Sequence, residues 1–150
     1  WFTFPYKAPE KPVREDVIFE KIKVEKDKLT VLIAEDNAGN FKLFETILKN
    51  DYTIVHAWNG KEAVELFKEY EPHIVLMDIN MPEMNGYEAT KEIRKLSEVI
   101  PIIAVTAYAF ASDEEQVMNS GFDAYASKPL NASALKKQMV DLLRARVFVI

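Results

Sequence analysis

From Leu29 onward the chain alternates short, almost wholly apolar runs with longer segments whose apolar residues recur every three or four positions. The short runs cover residues 30–34, 52–57, 74–78, 102–106 and 124–127, and most are rich in β-branched or aromatic residues. Such runs, bounded by turn residues, predict five strands. The intervening segments carry helical spacing: Phe41, Phe44, Ile47 and Leu48; Ala63, Leu66, Phe67 and Tyr70; a third pattern over 87–96; and a last one with Leu135, Met139, Leu142 and Leu143 on one face. Each predicts a helix with one apolar stripe. Asn59 with Glu62 and Ser112 with Glu115 match the capping box, Asn131 precedes the final helix, and Gly121 suits the end of the fourth.

Strands that read apolar throughout, rather than alternating, belong to a parallel sheet covered by helices on both faces. Right-handed crossovers restrict such a sheet to a few doubly wound orders, of which 2-1-3-4-5 is the common one for five strands. Ligands bind these sheets beyond the carboxyl ends of the strands, near the switch in winding order. Residues 1–28 stand outside the rhythm. Trp1-Phe2-Thr3-Phe4 reads as a strand, Pro5, Pro9 and Pro12 enforce an extended path, and 13–27 is charged with sparse apolar residues. The chain therefore divides into the end of a preceding domain plus linker (1–28), one α/β domain (29–146) and an apolar tail (147–150).

Composition narrows the function classes. A chain of 150 residues supports one core. Its net charge of -5, with acids and bases interleaved, offers no basic stripe for direct nucleic-acid binding. No apolar run approaches the roughly 18 residues of a membrane span, so no membrane contact by this segment is expected. The absence of cysteine removes disulfides, thiolate metal sites and thiol catalysis, and fits a reducing cytoplasm. Residues 1–10 lack the basic and unbroken apolar segments of a signal peptide, so no export signal is expected.

The chemistry gathers where the apolar runs stop. The first run ends in Glu35-Asp36, the third in Asp78, the fourth in Thr106 and the fifth in Lys128-Pro129. Singly, each residue has an ordinary explanation: a helix cap, a hydroxyl bonded to backbone, a solvated lysine. In a parallel sheet they meet at one edge, and three carboxylates held together repel one another. A divalent cation resolves that conflict. Oxygen ligands without His or Cys favour Mg²⁺, which takes one or two carboxylates and keeps open positions for phosphate oxygens. Lys128 adds a positive charge and Thr106 a hydroxyl donor, and Asp78 is the best placed nucleophile for an aspartyl phosphate.

In that order, Glu35-Asp36, the block "MDINMPEMNG" at 77–86, Thr106-Ala107 and Lys128-Pro129 resemble the receiver domain of two-component response regulators over about 28–146. The resemblance implies the flavodoxin-like (βα)5 fold, with Asp78 as phosphoacceptor from a phosphohistidine donor domain. It implies Mg²⁺ held by Glu35, Asp36, Asp78 and the Asn80 carbonyl, with Glu35 acting largely through water. Thr106 corresponds to the switch hydroxyl, Tyr125 to the switch aromatic and Lys128 to the phosphate-binding lysine, with a cis Lys128-Pro129 bond. It implies a two-state switch in which the face formed by the fourth helix, fifth strand and fifth helix changes shape, and through which two copies can pair as a homodimer. Such a domain catalyses only its own phosphorylation and dephosphorylation. Trp1-Phe2-Thr3-Phe4-Pro5 is similar to the closing strand of a histidine kinase ATP-binding domain, which makes the expected parent a hybrid sensor kinase, cytoplasmic here and membrane-anchored elsewhere. His56 and His73 lie in strand contexts and are expected to be structural, so the donor histidine lies on another domain or molecule.

Two other functions share parts of the pattern. Haloacid-dehalogenase-type phosphohydrolases place a second acid two residues after the nucleophile, where this chain has Asn80. A pseudo-receiver that only binds partners would not need the complete set of acids, Thr106 and Lys128. Asn80 and Tyr108, each two residues beyond a site residue, flank the path of water toward a phosphorylated Asp78. Bulky Tyr108 is expected to slow dephosphorylation. Tyr108→Glu should shorten the lifetime of the phosphorylated protein several-fold; decay of radiolabelled phosphate measures it, and an unchanged lifetime overturns the role.

Overall fold

The computed structural model describes residues 29–107 and 111–149, with the side chains of 111–114 and 146–149 excepted. The expected N-terminal strand and linker, together with Tyr108, lie outside the described residues. Five strands form one sheet: β1 (Leu29–Ala34), β2 (Tyr52–Ala57), β3 (Ile74–Asp78), β4 (Ile102–Thr106) and β5 (Ala124–Ser127). All pairings are parallel and the order is β2-β1-β3-β4-β5, as the apolar runs predict. The helices are α1 (Ala38–Leu48), α2 (Gly60–Tyr70), α3 (Gly86–Leu96), α4 (Ala111–Met118) and α5 (Ala132–Val149). The last helix takes in the first three residues of the apolar tail.

Successive strand residues point to opposite faces, and both faces are covered, which is why these strands read apolar without alternation. On one face Leu32, Ala34, Val75, Met77, Ile102 and Ala104 pack with Ala63 and Phe67 of α2, Ala89 and Ile93 of α3 and Val117 of α4. On the other, Val31, Ile33, Ile74, Leu76, Ile103 and Val105 pack with Phe44 and Leu48 of α1 and Leu135, Met139 and Leu143 of α5. No helix of the described residues is long and apolar enough to cross a membrane.

The helix starts separate what local sequence specifies from what it only suggests. At α2 the Asn59 side chain accepts from the Glu62 N–H at 2.8 Å, but the Glu62 carboxylate accepts from Trp58 N–H, one residue earlier than a capping box requires. The complete box lies at α3, where Asn85 accepts from Glu88 N–H and Glu88 from Asn85 N–H. The backbone of Ser112 falls within α4 rather than before it. Asn131 accepts from Ala134 N–H at 2.9 Å and caps α5. Gly121 follows α4 at φ 101°, a conformation that favours glycine.

At the edge remote from the acids, single side chains tie elements together. Arg94 of α3 donates to the Ile100 and Gly121 carbonyls at 2.8 and 2.9 Å and to Asp123 at 2.8 Å. The Asp123 carboxylate also accepts from Ile102 N–H, so one ion pair closes the starts of β4 and β5 against the end of α3. His73 lies just before β3, and its Nδ1 accepts from Thr30 N–H at 2.9 Å.

Thr90 of α3 is fully buried and its hydroxyl has no partner among the described residues. Valine has the same shape without the unmet donor. Thr90→Val should raise stability by about 1 kcal/mol, read as a higher melting temperature, because it removes a desolvated group rather than a bond; a lower melting temperature would mean that the hydroxyl is bonded.

Candidate functional site

The parallel register delivers the predicted residues to one sheet edge. Ala34 pairs with Met77, Asp78 with Val105 and Thr106 with Ser127, so Glu35-Asp36, Asp78, Thr106 and Lys128 all leave the sheet at neighbouring positions. An oxygen from each of Glu35, Asp36 and Asp78 lies within 4.8 Å of the others. Glu35 has no solvent exposure and Asp78 only 5%, while Asp36 is exposed. Lys128 Nζ bridges the two buried acids, 3.3 Å from Glu35 Oε1 and 3.2 Å from Asp78 Oδ2. Thr106 is 3% exposed, and its carbonyl accepts from Lys128 N–H at 2.8 Å. The Lys128-Pro129 peptide is cis.

The electrostatics follow from this crowding. Burial, and after it the Asp78 carboxylate, pushes the Glu35 carboxyl up from 4.5 to about 7 against the opposing pull of Lys128. Burial alone would lower the Lys128 ammonium, but Asp78 and Glu35 outweigh it and hold the pKa above its ordinary value. With every acid ionised, three carboxylates face one ammonium, which leaves a formal charge of -2 among them. The second Glu35 oxygen accepts from Asn37 N–H at 3.2 Å and Asn40 Nδ2 at 3.5 Å. Asn37 also caps α1, accepting from Asn40 N–H at 2.9 Å. The polar residues after β1 thus serve helix and site together.

Asn80 N–H donates to Asp78 Oδ1 at 3.2 Å, while the Asn80 side chain turns to solvent. Met81 is buried and Met84 half-buried against the core. Between them Glu83 adopts φ 66° and Met84 N–H reaches back to the Pro82 carbonyl at 2.6 Å, a tight turn that no glycine announces. Gly86 corrects a simple expectation, that glycine supplies backbone freedom there. Its φ is not in the left-handed region; instead a Cβ would strike the Asp78 carbonyl oxygen and lie 2.8 Å from Ile79 Cα. Gly60 likewise sits against the Met84 backbone, donating its N–H to the Met84 carbonyl at 3.0 Å. Two glycines therefore let α2 and α3 press on the backbone of Asp78 and the loop that follows it.

Tyr125 lies three residues before Lys128, half-buried against the core on the side of α2, α3 and α4. Its carbonyl accepts from Gln138 of α5 at 3.1 Å. Beside Lys128, Asn40, Leu43, Phe44, Pro129 and Leu130 line an open, mainly apolar cavity of about 360 Å³. Sequence reasoning missed Asn40 and the backbone of Asn37, because both read as ordinary residues of a helix start.

With this geometry, four similarities to known proteins carry weight. The sequence profile of the response regulator receiver domain matches residues 31–140. The polar-differentiation response regulator DivK of Brucella anthropi is 43% identical over 105 residues, spanning 68% of this chain and 85% of that protein. Among solved structures, the receiver domain of the sensor histidine kinase PA1611 from Pseudomonas aeruginosa, with a magnesium ion coordinated in its active-site cleft, is 30% identical with a TM-score of 0.72, covering 77% of this chain and 98% of that one. The receiver domain of Ssk1 from Saccharomyces cerevisiae, crystallised with the histidine phosphotransfer protein Ypd1, is 32% identical with a TM-score of 0.74, covering 79% and 91%.

Gly86→Ala should cost about 2 kcal/mol, as overpacking against fixed backbone does, and should displace Asp78 along with Ile79. The expected result is a lower melting temperature; an unchanged value would show that the Asp78 backbone can yield.

Proposed function

The chain belongs to the response regulator receiver domain family, and from that premise we propose that Asp78 accepts a phosphoryl group from a phosphohistidine with Mg²⁺ bound beside it. The observation that carries this reading is the acid cluster itself, three carboxylate oxygens within 4.8 Å with Lys128 bridging the two buried acids. A formal charge of -2 at that edge would repel a phosphoryl group, and a divalent cation would bring it to neutral. Glu35, Asp36 and Asp78, with the Asn80 carbonyl, are the residues that would hold Mg²⁺, a hard ion suited to oxygen ligands. When bound, the ion supplies charge neutralisation for the transferred phosphoryl oxygens.

The remaining chemistry belongs to the chain. An Asp78 carboxylate oxygen forms the P–O bond as the P–N bond to the donor imidazole breaks, and the imidazole nitrogen keeps the electron pair. Lys128, 3.2 Å from Asp78, neutralises charge on the transferred group, and Thr106 offers its hydroxyl to a phosphoryl oxygen. Positioning and charge account for most of such a step, which suits a site whose parts are set by strand register. The bound phosphoryl group then favours the arrangement in which Thr106 and the loop after β4 move toward it and Tyr125 turns inward. Only that difference in interaction can shift the population toward the altered α4-β5-α5 face.

The donor is proposed to be a phosphotransfer or kinase domain, supported by the likeness to Ssk1, which was crystallised with such a protein. The likeness to a receiver from a sensor histidine kinase supports a hybrid-kinase parent. Two copies are proposed to pair through α4-β5-α5.

Acetyl phosphate with Mg²⁺ should add one phosphoryl group to the intact chain by mass spectrometry, and Asp78→Asn should abolish it. Omitting Mg²⁺ should slow it by at least about 100-fold, as expected when several kcal/mol of charge stabilisation are withdrawn. No adduct on the parent, or an adduct that survives Asp78→Asn, would refute the proposal.

A further inference from the structure

One side chain of the described residues bonds to the backbone of the acid pair without belonging to the cluster. His56 Nε2 lies 2.9 Å from the Glu35 carbonyl oxygen. A carbonyl only accepts, so Nε2 carries the proton and donates. Two rings hold the imidazole: it stacks on Phe41 of α1 at 3.6 Å with 2° between planes, and the tilted Trp58 ring lies 4.2 Å away. His56 thus joins the end of β2, the first turn of α1 and the carbonyl on which β1 ends.

That carbonyl matters because of what shares its plane. Glu35 C=O and Asp36 N–H belong to one planar peptide, so fixing the oxygen fixes the plane from which the Asp36 side chain departs. Glu35 N–H is already committed to the Ala57 carbonyl at 3.0 Å, and the Glu35 carboxylate to Asn37, Asn40 and Lys128. Asp36 is exposed, so burial does not hold its side chain. We infer that His56 is a positioning residue for the acid pair, its Nε2–H holding the Glu35–Asp36 peptide so that both carboxylates present to one divalent cation. The inference rests on the cation-binding reading of the cluster above. Groups one step behind metal ligands act in this way elsewhere, by restricting ligand orientation rather than by touching the ion.

The test is Mg²⁺ titration of the full chain by calorimetry at a fixed pH, with thermal unfolding of each variant in parallel. His56→Phe keeps a ring for the stack and removes the donor; Mg²⁺ affinity should fall about tenfold, the lower end of the loss seen when a group behind a ligand is removed. His56→Gln, whose amide can reach the same carbonyl, should recover most of that loss. A role in packing alone predicts the reverse, because Phe fills the stack better than Gln. Should His56→Phe fail to fold, Phe41→Leu takes away the ring's support while leaving its N–H, and weaker Mg²⁺ binding is again expected. Asp36→Asn serves as the reference for a lost ligand. A parent chain that takes up no Mg²⁺ overturns the cluster reading and this inference together. A parent that binds, with His56→Phe or, in its place, Phe41→Leu binding equally well, overturns the inference alone.

Discussion

Glu35 is a carboxyl without solvent exposure, placed beside the carboxylate of Asp78 and 3.3 Å from a lysine ammonium that must serve both. Left to itself, such an arrangement would be avoided: burial and the neighbouring charge both resist ionisation, and they push Glu35 up to about 7. The rest of the domain is arranged so that this contact persists. Lys128 is drawn to the acids by the same forces that crowd them, and its backbone N–H is fixed to the Thr106 carbonyl, so cation and hydroxyl arrive together.

Holding like charges together requires a scaffold that does not relax around them. Here it is a five-stranded parallel sheet with an apolar core on each face. Such a core is close-packed and yields little. Gly60 and Gly86 allow α2 and α3 to reach the backbone of the loop after β3, and side chains there would force the loop outward. The strand ends cannot spread without uncovering apolar residues in both clusters. The acid edge is therefore stressed by local electrostatics and stabilised by distant packing, a division common where a site must stay poised for a ligand.

The same division explains how a small chemical event could have a mechanical result. Thr106 ends β4 and Tyr125 lies in β5, the neighbouring strand, with Lys128 following directly. A new anion at Asp78 would compete for Lys128 and attract Thr106, altering the strand ends that border α4 and α5. Tyr125 is half-buried against the core. Thr106 and Lys128 thus stand at the ends of two adjoining strands.

Much of this was legible in the sequence. Strands that read apolar throughout announced a sheet covered on both sides, and their bounds agree closely, with only β1 starting one residue earlier, at Leu29. The acids, Thr106 and Lys128 stood out because each directly follows such a run, and a parallel sheet leaves one edge for all of them. What the sequence could not disclose depends on contacts between segments far apart along the chain. Gly86 is a point of close approach to Asp78; Ser112 looked like a cap and lies within its helix, while Asn85 caps without having been noticed. His56 read as an ordinary strand residue until register placed its ring beneath the Glu35 carbonyl. Periodicity reports whether a residue faces the core, because burial repeats with the local backbone geometry. Which polar atom a side chain meets is set by register and by the approach of helices to loops, and those are decided only when the whole core packs.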